Sequence, residues 1–341
     1  MNEIPGRRRR LFSGAAFSSA LFYSGDGSGA EGANFGYFAG CRLDGAYLAL
    51  KRNGGVLLAN EMVLSQAKRN SPYPVRLLGR KTAPMQVRAA CGRGKTGVSL
   101  PGISAARYLR LKKNARLSIV DAEGKIAKIR GRKSAKEVKT ICSAAKAARK
   151  ILEGLGPWES KDELSLALRL KSLALEAGCD IAFEPIVATG RNSALPHHKP
   201  SAKKLDDFVL VDFGVKKEDY CSDFTFCYFR GRKGLSRERE AYGKAGGIFE
   251  RLLEGLPDCE DGNDVAVLAE KLIRAAGFPS LIHSIGHGIG LEVHECPRLG
   301  QGSGDSLDGA VIALEPAAYF SDFGVRFERM AANVNGKWKE I

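Results

Sequence analysis

The stretch His283-Ser-Ile-Gly-His-Gly-Ile-Gly-Leu-Glu-Val-His-Glu-Cys-Pro-Arg298 decides how the rest of the chain is read. The chain holds five histidines, and three fall here, at His283, His287 and His294. Gly286, Gly288 and Gly290 leave the backbone between them nearly bare, which lets a bulky group approach closely. Imidazoles are common metal ligands and acid/base groups near neutral pH. A glycine-rich loop with solvated histidines is the plainer alternative. Acidic residues placed on either side of the stretch weigh against it.

Those acids lie on two ribbons. Leu210-Val-Asp212-Phe213 and Ile312-Ala-Leu-Glu315-Pro316 would read as plain core strands but for one acid in each. A turn centred between Lys217 and Glu218 sets Asp212 directly opposite Asp223. A turn at Ser321-Asp322 sets Glu315 opposite Glu328. Like charges opposed in a buried ladder destabilise it unless a cation sits between them. Four carboxylates and an imidazole suit two hard-to-borderline divalent ions such as Mn²⁺, Co²⁺ or Zn²⁺. Two such ions about 3.5–4 Å apart can hold a hydroxide and polarise a carbonyl. No thiolate joins the pattern, so it does not point to a structural zinc site.

At 341 residues the chain is long enough for two domains. No apolar run reaches the length of a bilayer span. Arg7-Arg-Arg-Arg-Leu-Phe12, followed by small and apolar residues to Tyr23, loosely resembles a twin-arginine export signal. It lacks a clean cleavage site and reads equally as a short basic helix leading into a strand. Eight cysteines are scattered without a C-x-x-C pair, which points to reduced thiols in a cytoplasm. The net charge of +15 is uneven: residues 1–150 carry 30 Lys+Arg against 8 Asp+Glu, and residues 151–341 carry 23 against 30. A basic front of this kind can bind nucleic acid, steer acidic substrates or stand as solvated surface.

Residues 1–131 read as a small α/β domain. Helices are expected over 7–16 and 103–113. Strands are expected over 20–24, 35–38, 46–51, 55–59, 98–100 and 117–120. Asn53-Gly54 supplies a hairpin turn. There is no Walker loop and no aromatic-rich strand of the kind that stacks bases. Residues 132–341 form the second domain. Ser134-Ala-Lys-Glu137 is a capping box that opens a helix to about 155, stopped by Gly156-Pro157. A second helix, opened by Ser160-Lys-Asp-Glu, runs to about 177. Strands over 182–187, 208–214 and 220–229 follow, then helices over 237–255 and 264–276. Strands over 310–320 and 324–334 close the chain. The order αα-βββ-αα-βββ suggests an internal duplication.

Asp212-Phe-Gly, Tyr220-Cys-Ser-Asp223-Phe-Thr225, Gly286-His-Gly-Ile-Gly290, Leu314-Glu-Pro316 and Gly324-Val-Arg-Phe-Glu328 carry a resemblance. The second domain resembles the pita-bread metallopeptidases: aminopeptidase P, prolidase and methionine aminopeptidase, with the non-metal creatinase. The resemblance covers about residues 134–341. The first domain is similar to the creatinase-type N-terminal domain of the Xaa-Pro branch, on Arg7–Leu11, Asn34–Gly40 and the strand pair at Asn53-Gly54.

The fold class implied is α/β (α+β), a small N-terminal domain followed by a pita-bread catalytic domain. The activity implied is metal-dependent hydrolysis of the Xaa-Pro bond through a metal-bridging hydroxide, in a cytoplasmic homodimer. Its substrate is a peptide or dipeptide with proline at the second position, and its cofactor is two divalent ions, manganese first. The resemblance assigns Asp212 to one metal, Asp223 and Glu328 to both, and His287 and Glu315 to the second. Glu315 also takes a proton from the attacking water. His197 lies near the substrate. His283 and His294 line the proline pocket and support the tetrahedral intermediate. Arg298 holds a substrate carboxylate, a task suited to its fork of donors.

Two positions depart from the family pattern: Phe226 stands where Arg is frequent, and Arg329 where Asp is frequent. Both touch the surroundings of the ligands, not the ligands themselves. The competing reading is a non-catalytic homologue that binds nucleic acid or protein through the basic front.

Overall fold

Leu48, Ala49 and Leu50 are consecutive and all buried, so the strand that holds them is covered on both faces. A strand of that kind lies inside a sheet layered by helices. The computed structural model describes residues 3–25, 29–231 and 234–341. The chain divides into two compact units, Met1–Ile129 and Arg130–Ile341.

The first unit comprises α1 (Ile4–Phe12), β1 (Ser19–Tyr23), α2 (Gly29–Ala39), β2 (Tyr47–Lys51) and β3 (Gly54–Ala59). Then come α3 (Leu64–Asn70), β4 (Val75–Leu77), α4 (Ala83–Cys91), β5 (Lys95–Val98), α5 (Ala105–Lys113), β6 (Ser118–Asp121) and α6 (Glu123–Gly131). The strands form one mixed sheet in the order β4-β3-β2-β1-β5-β6. Val87 and Cys91 of α4 and Leu111 of α5 pack on Leu21, Ala49, Leu58 and Val98. Phe22, which alternation turns to the other face, stacks on Phe38 of α2 at 4.6 Å.

The strand expected at 35–38 is instead the end of α2. Asn34, Phe35, Tyr37, Phe38 and Ala39 are all buried, so this helix shows no polar face from which a period could be read. α3 and α4 also escaped the pattern. The charge excess belongs wholly to this unit: residues 1–129 carry 22 Lys+Arg against 7 Asp+Glu, and residues 130–341 carry 31 of each.

In the second unit α7 (Ala135–Glu153) starts at the Ser134 capping box, with both reciprocal hydrogen bonds formed. α8 (Glu163–Glu176) is capped by Asp162, not Ser160, which closes a short 3₁₀ turn before it. The strands β7 (Asp180–Ile181), β8 (Ile186–Thr189), β9 (Phe208–Phe213), β10 (Val215–Lys217), β11 (Tyr220–Cys221) and β12 (Phe224–Phe229) follow. α9 (Ser236–Gly255) and α10 (Gly262–Ala275) repeat the helix pair. β13 (Gly286–Gly288), β14 (Glu295–Leu299), β15 (Val311–Leu314), β16 (Ala317–Tyr319), β17 (Gly324–Arg326), β18 (Arg329–Val334) and β19 (Lys337–Glu340) complete the chain. β12-β9-β8 form one sheet and β14-β13-β15-β18-β19 another. Each half is therefore a helix pair followed by a sheet with three strands at its centre, as the duplicated order implies. A bridge between Thr225 and Glu328 joins the two sheets.

The two acid-bearing ribbons differ in register. In the second, Ala317 pairs with Arg326 and Leu314 with Arg329, which keeps Glu315 and Glu328 at matched positions. In the first, Glu218 and Asp219 both take positive φ and form a two-residue turn, one residue later than expected. Lys217 pairs with Tyr220, and Asp212 is opposed by Thr225, not by Asp223. Asp223 precedes Thr225 by two residues, so the two aspartates are diagonal neighbours on one face.

Gly214 is where this ribbon narrows, because a Cβ there would lie 1.9 Å from the Ser222 carbonyl oxygen. Gly214→Ala is expected to cost about 1–3 kcal/mol by forcing the strands apart. Urea unfolding of the purified variant checks this, and an unchanged midpoint contradicts it.

Candidate metal centre

β9 delivers Asp212 from a strand whose six residues are all buried. β13 delivers His287 between Gly286 and Gly288. Cβ atoms on those glycines would lie 2.1 Å from the Ala313 carbonyl oxygen and 2.4 Å from backbone atoms of Cys296. The bare backbone thus serves close strand packing around His287. Asp223 precedes β12, and Glu315 and Glu328 sit where β15 and β18 begin or end at the second ribbon.

All five line one cavity of about 590 Å³, together with His197, His283 and His294. Nε2 of His287 lies 3.6 Å from Asp223 and 3.9 Å from Glu328. One ligand atom each from Asp223, His287 and Glu328 can be chosen so that all lie within 4.8 Å of one another. The His287 and His294 rings meet edge to face at 4.2 Å. His283 lies 3.6 Å from Glu315.

Electrostatics in this cavity are severe. Burial, then the charges of Glu328, Asp212 and Glu315, hold the Asp223 carboxyl well above the ordinary range. Burial and the other acids raise Glu328 likewise. Burial raises Asp212 too, although the Arg326 guanidinium opposes the shift. Glu315 is pushed up to about 7, chiefly by burial. Burial and the neighbouring His294 push His287 down to about 4, so its imidazole is neutral. Neutral imidazole is the form that ligates a metal.

Oδ1 of Asp212 and Oδ1 of Asp223 are buried, and no hydrogen-bond donor reaches either. Buried carboxylate oxygens without donors are costly unless a cation meets them. The donor set, four hard carboxylates and an imidazole, fits divalent cations.

Arg326 went unnoticed in the sequence. Its guanidinium lies 2.5 Å from Oδ2 of Asp212 and donates to Tyr319 and Thr225 at 2.9 Å. It sits two residues before Glu328, so the period of a strand sets both on one face; that was the available signal. Tyr319 was missed too. Its hydroxyl is 3.0 Å from Nε2 of His283, whose Nδ1 lies 2.7 Å from the Ser284 carbonyl oxygen. Both nitrogens of His283 are thus engaged. Arg298 is not brought into the cavity: it is exposed and donates to the Gln301 carbonyl oxygen. The turn at 300–302 offers that carbonyl, and the fork folds back onto it.

Two buried acids hold the loops that wall the cavity. Glu163 accepts from Thr189, Asn192 and Ser201 and pairs with His198, which fixes the segment carrying His197. Glu295, beside His294, is gripped by Arg130 and Lys133.

Residues 132–332 match the metallopeptidase family M24. The chain belongs to that family. It is 31% identical over 313 residues to the Xaa-Pro dipeptidase of Pyrococcus horikoshii, across 88% of this chain and 87% of that one. A Mycoplasma pneumoniae relative is 33% identical over 228 residues, and the match spans 62% of that protein's length. Among solved structures, the prolidase of Pyrococcus horikoshii superposes with a TM-score of 0.86 at 26% identity, covering 99% of this chain and 97% of that one. These likenesses bear out the pita-bread architecture.

Two outcomes test the centre. Mn²⁺ added to metal-free protein raises the unfolding temperature, by the equivalent of about 2.7 kcal/mol at a hundredfold excess over Kd, and Asp223→Asn abolishes most of that rise. The second concerns Glu295. Burial alone would raise its pKa, but Lys133 and Arg130 overcome burial and hold it below the ordinary carboxylate value. Its contribution to stability is therefore full above the unfolded-state pKa and lost as pH falls through the lowered value. Glu295→Gln is expected to flatten the acid side of the stability profile, as followed by unfolding between pH 3 and 6.

Proposed function

We propose that the protein hydrolyses the bond before proline in Xaa-Pro peptides and releases the N-terminal residue. One observation carries this: four acids and a neutral imidazole from two ribbons and a glycine-lined strand converge on a single cavity. The named activity of the aligned Pyrococcus horikoshii dipeptidase supports the same substrate class.

Asp212, Asp223, His287, Glu315 and Glu328 would hold two divalent ions, with Asp223 and Glu328 shared. When bound, such ions polarise a carbonyl and make water more acidic. That matters here because the amide before proline has no N–H through which a site could grip it. Glu315, raised to about 7, is suited to accept a proton from water and pass it to the departing nitrogen. Tyr319 and the Ser284 carbonyl fix the ring of His283. His294 and His197 stand across the same space, where their imidazoles can hydrogen-bond the substrate. Phe183, Pro185, Ile186, Pro196 and Val293 give the cavity an apolar side on which a pyrrolidine ring can rest.

The reading extends to manganese as the metal, a homodimer and a cytoplasmic setting. The oxygen-rich donor set supports the first, the family resemblance the second, and eight unpaired cysteines the third. No helix among the described residues is long and apolar enough to cross a membrane. The retained acids and imidazole disfavour a non-catalytic binding protein.

Metal-free protein given Mn²⁺ or Co²⁺ should release the first residue from Xaa-Pro dipeptides or longer Xaa-Pro peptides; comparing the two assigns dipeptidase or aminopeptidase preference. Glu315→Gln should lower kcat by about 10²–10⁴. Intact peptides after incubation with either metal would remove the proposal.

A further inference from the structure

Phe226 and Arg329, the two departures from the family pattern, meet in the structure. The Arg329 guanidinium lies 3.8 Å from the centre of the Phe226 ring and 4.3 Å from that of Phe327. Arg329 is buried, and among the described residues no carboxylate lies within ion-pair distance of it. A buried cation without an acid is costly unless other groups replace its water. Here two aromatic faces do so, together with two backbone carbonyls and the Tyr242 hydroxyl.

Those carbonyls are informative. One nitrogen, Nη1, donates to the Thr225 oxygen at 2.8 Å and to the Glu328 oxygen at 2.7 Å. Thr225 and Glu328 are the residues of the bridge that joins the two sheets. The bridge itself is loose, with both of its N–H···O contacts at 3.4 Å. Arg329 therefore fastens, through one nitrogen, both oxygens of a weak bridge. Asp223 lies two residues before Thr225, and the Thr225 hydroxyl donates to the Glu328 carboxylate at 2.7 Å. The spacing of Asp223 from Glu328 is thus set by the bridge.

We propose that Arg329, packed against the rings of Phe226 and Phe327, is a positioning residue that clamps this bridge and thereby sets the distance between two carboxylates of the metal centre. The proposal rests on the reading of that cavity as a metal site. It makes the two unusual residues one device: Phe226 supplies the ring that allows a cation without an acid at position 329. An ammonium could keep contacts that one nitrogen makes, but it lacks the broad planar face that covers the two rings.

The test uses the full chain, wild type and four variants: Arg329→Met, Arg329→Lys, Phe226→Leu and Phe226→Tyr. Three quantities are read: Mn²⁺ affinity by calorimetry, thermal unfolding of the metal-free protein, and amide hydrogen exchange at Thr225 and Glu328 without metal. Arg329→Met is expected to weaken Mn²⁺ binding about tenfold or more and to speed exchange at both amides. Arg329→Lys recovers little of either. Phe226→Leu weakens binding about threefold to tenfold, whereas Phe226→Tyr, which keeps the ring, stays within about twofold of wild type.

Variants that melt earlier but bind Mn²⁺ like wild type, with unchanged exchange at the two amides, overturn the clamp. If Arg329→Met fails to fold, the contrast between Phe226→Leu and Phe226→Tyr decides. Wild-type protein that binds Mn²⁺ but leaves Xaa-Pro peptides intact would defeat the proposed activity alone. Wild-type protein that binds no Mn²⁺ overturns the metal-positioning role.

Discussion

Four largely buried carboxylic acids face one cavity, and their mutual repulsion is the constraint around which the second unit is built. At least some must stay protonated while the cavity lacks cations, because burial and like charge both oppose ionisation. The fold does little to relieve this from within. Among the described residues Arg326 alone places a cation against Asp212, and burial holds the His287 imidazole neutral. A structure that concentrates negative charge and then withholds compensation is suited to receive charge from outside.

Holding such a cavity open needs rigid walls, and the walls are supplied by other buried acids that are fully satisfied. Glu163 collects donors from the segment that carries His197. Glu295 is gripped by two cations from the start of the unit, which secures the segment carrying His294. The contrast is instructive: acids with donors organise loops, while Asp212 and Asp223 each keep an oxygen without one. The same residue type builds the frame in one place and the functional surface in another, and the hydrogen-bond partners decide which.

Much of this was legible in the chain. Apolar strands interrupted by one acid, at Asp212 and Glu315, stood out because the acid broke an otherwise buried run. The second ribbon's register followed from equal spacing about Ser321-Asp322, and the structure keeps it. The first ribbon slipped by one residue because Glu218 and Asp219 both adopt positive φ; Asp tolerates that region, but Glu218 gives no sign of it. Arg326 and Tyr319 escaped notice because their importance lies in partners more than a hundred residues or a few residues away, and spacing alone does not reveal which. In the first unit, the helix at Gly29–Ala39 was hidden by its own burial. Arg298 failed for a local reason, since a nearby turn carbonyl offered its guanidinium a closer partner.

Arg326 has one more effect. Its guanidinium leaves the cavity, when all four acids are ionised, with three units of negative charge instead of four. A cation bound there therefore meets a charge already cut by a quarter, because the protein's own guanidinium has relieved part of the repulsion.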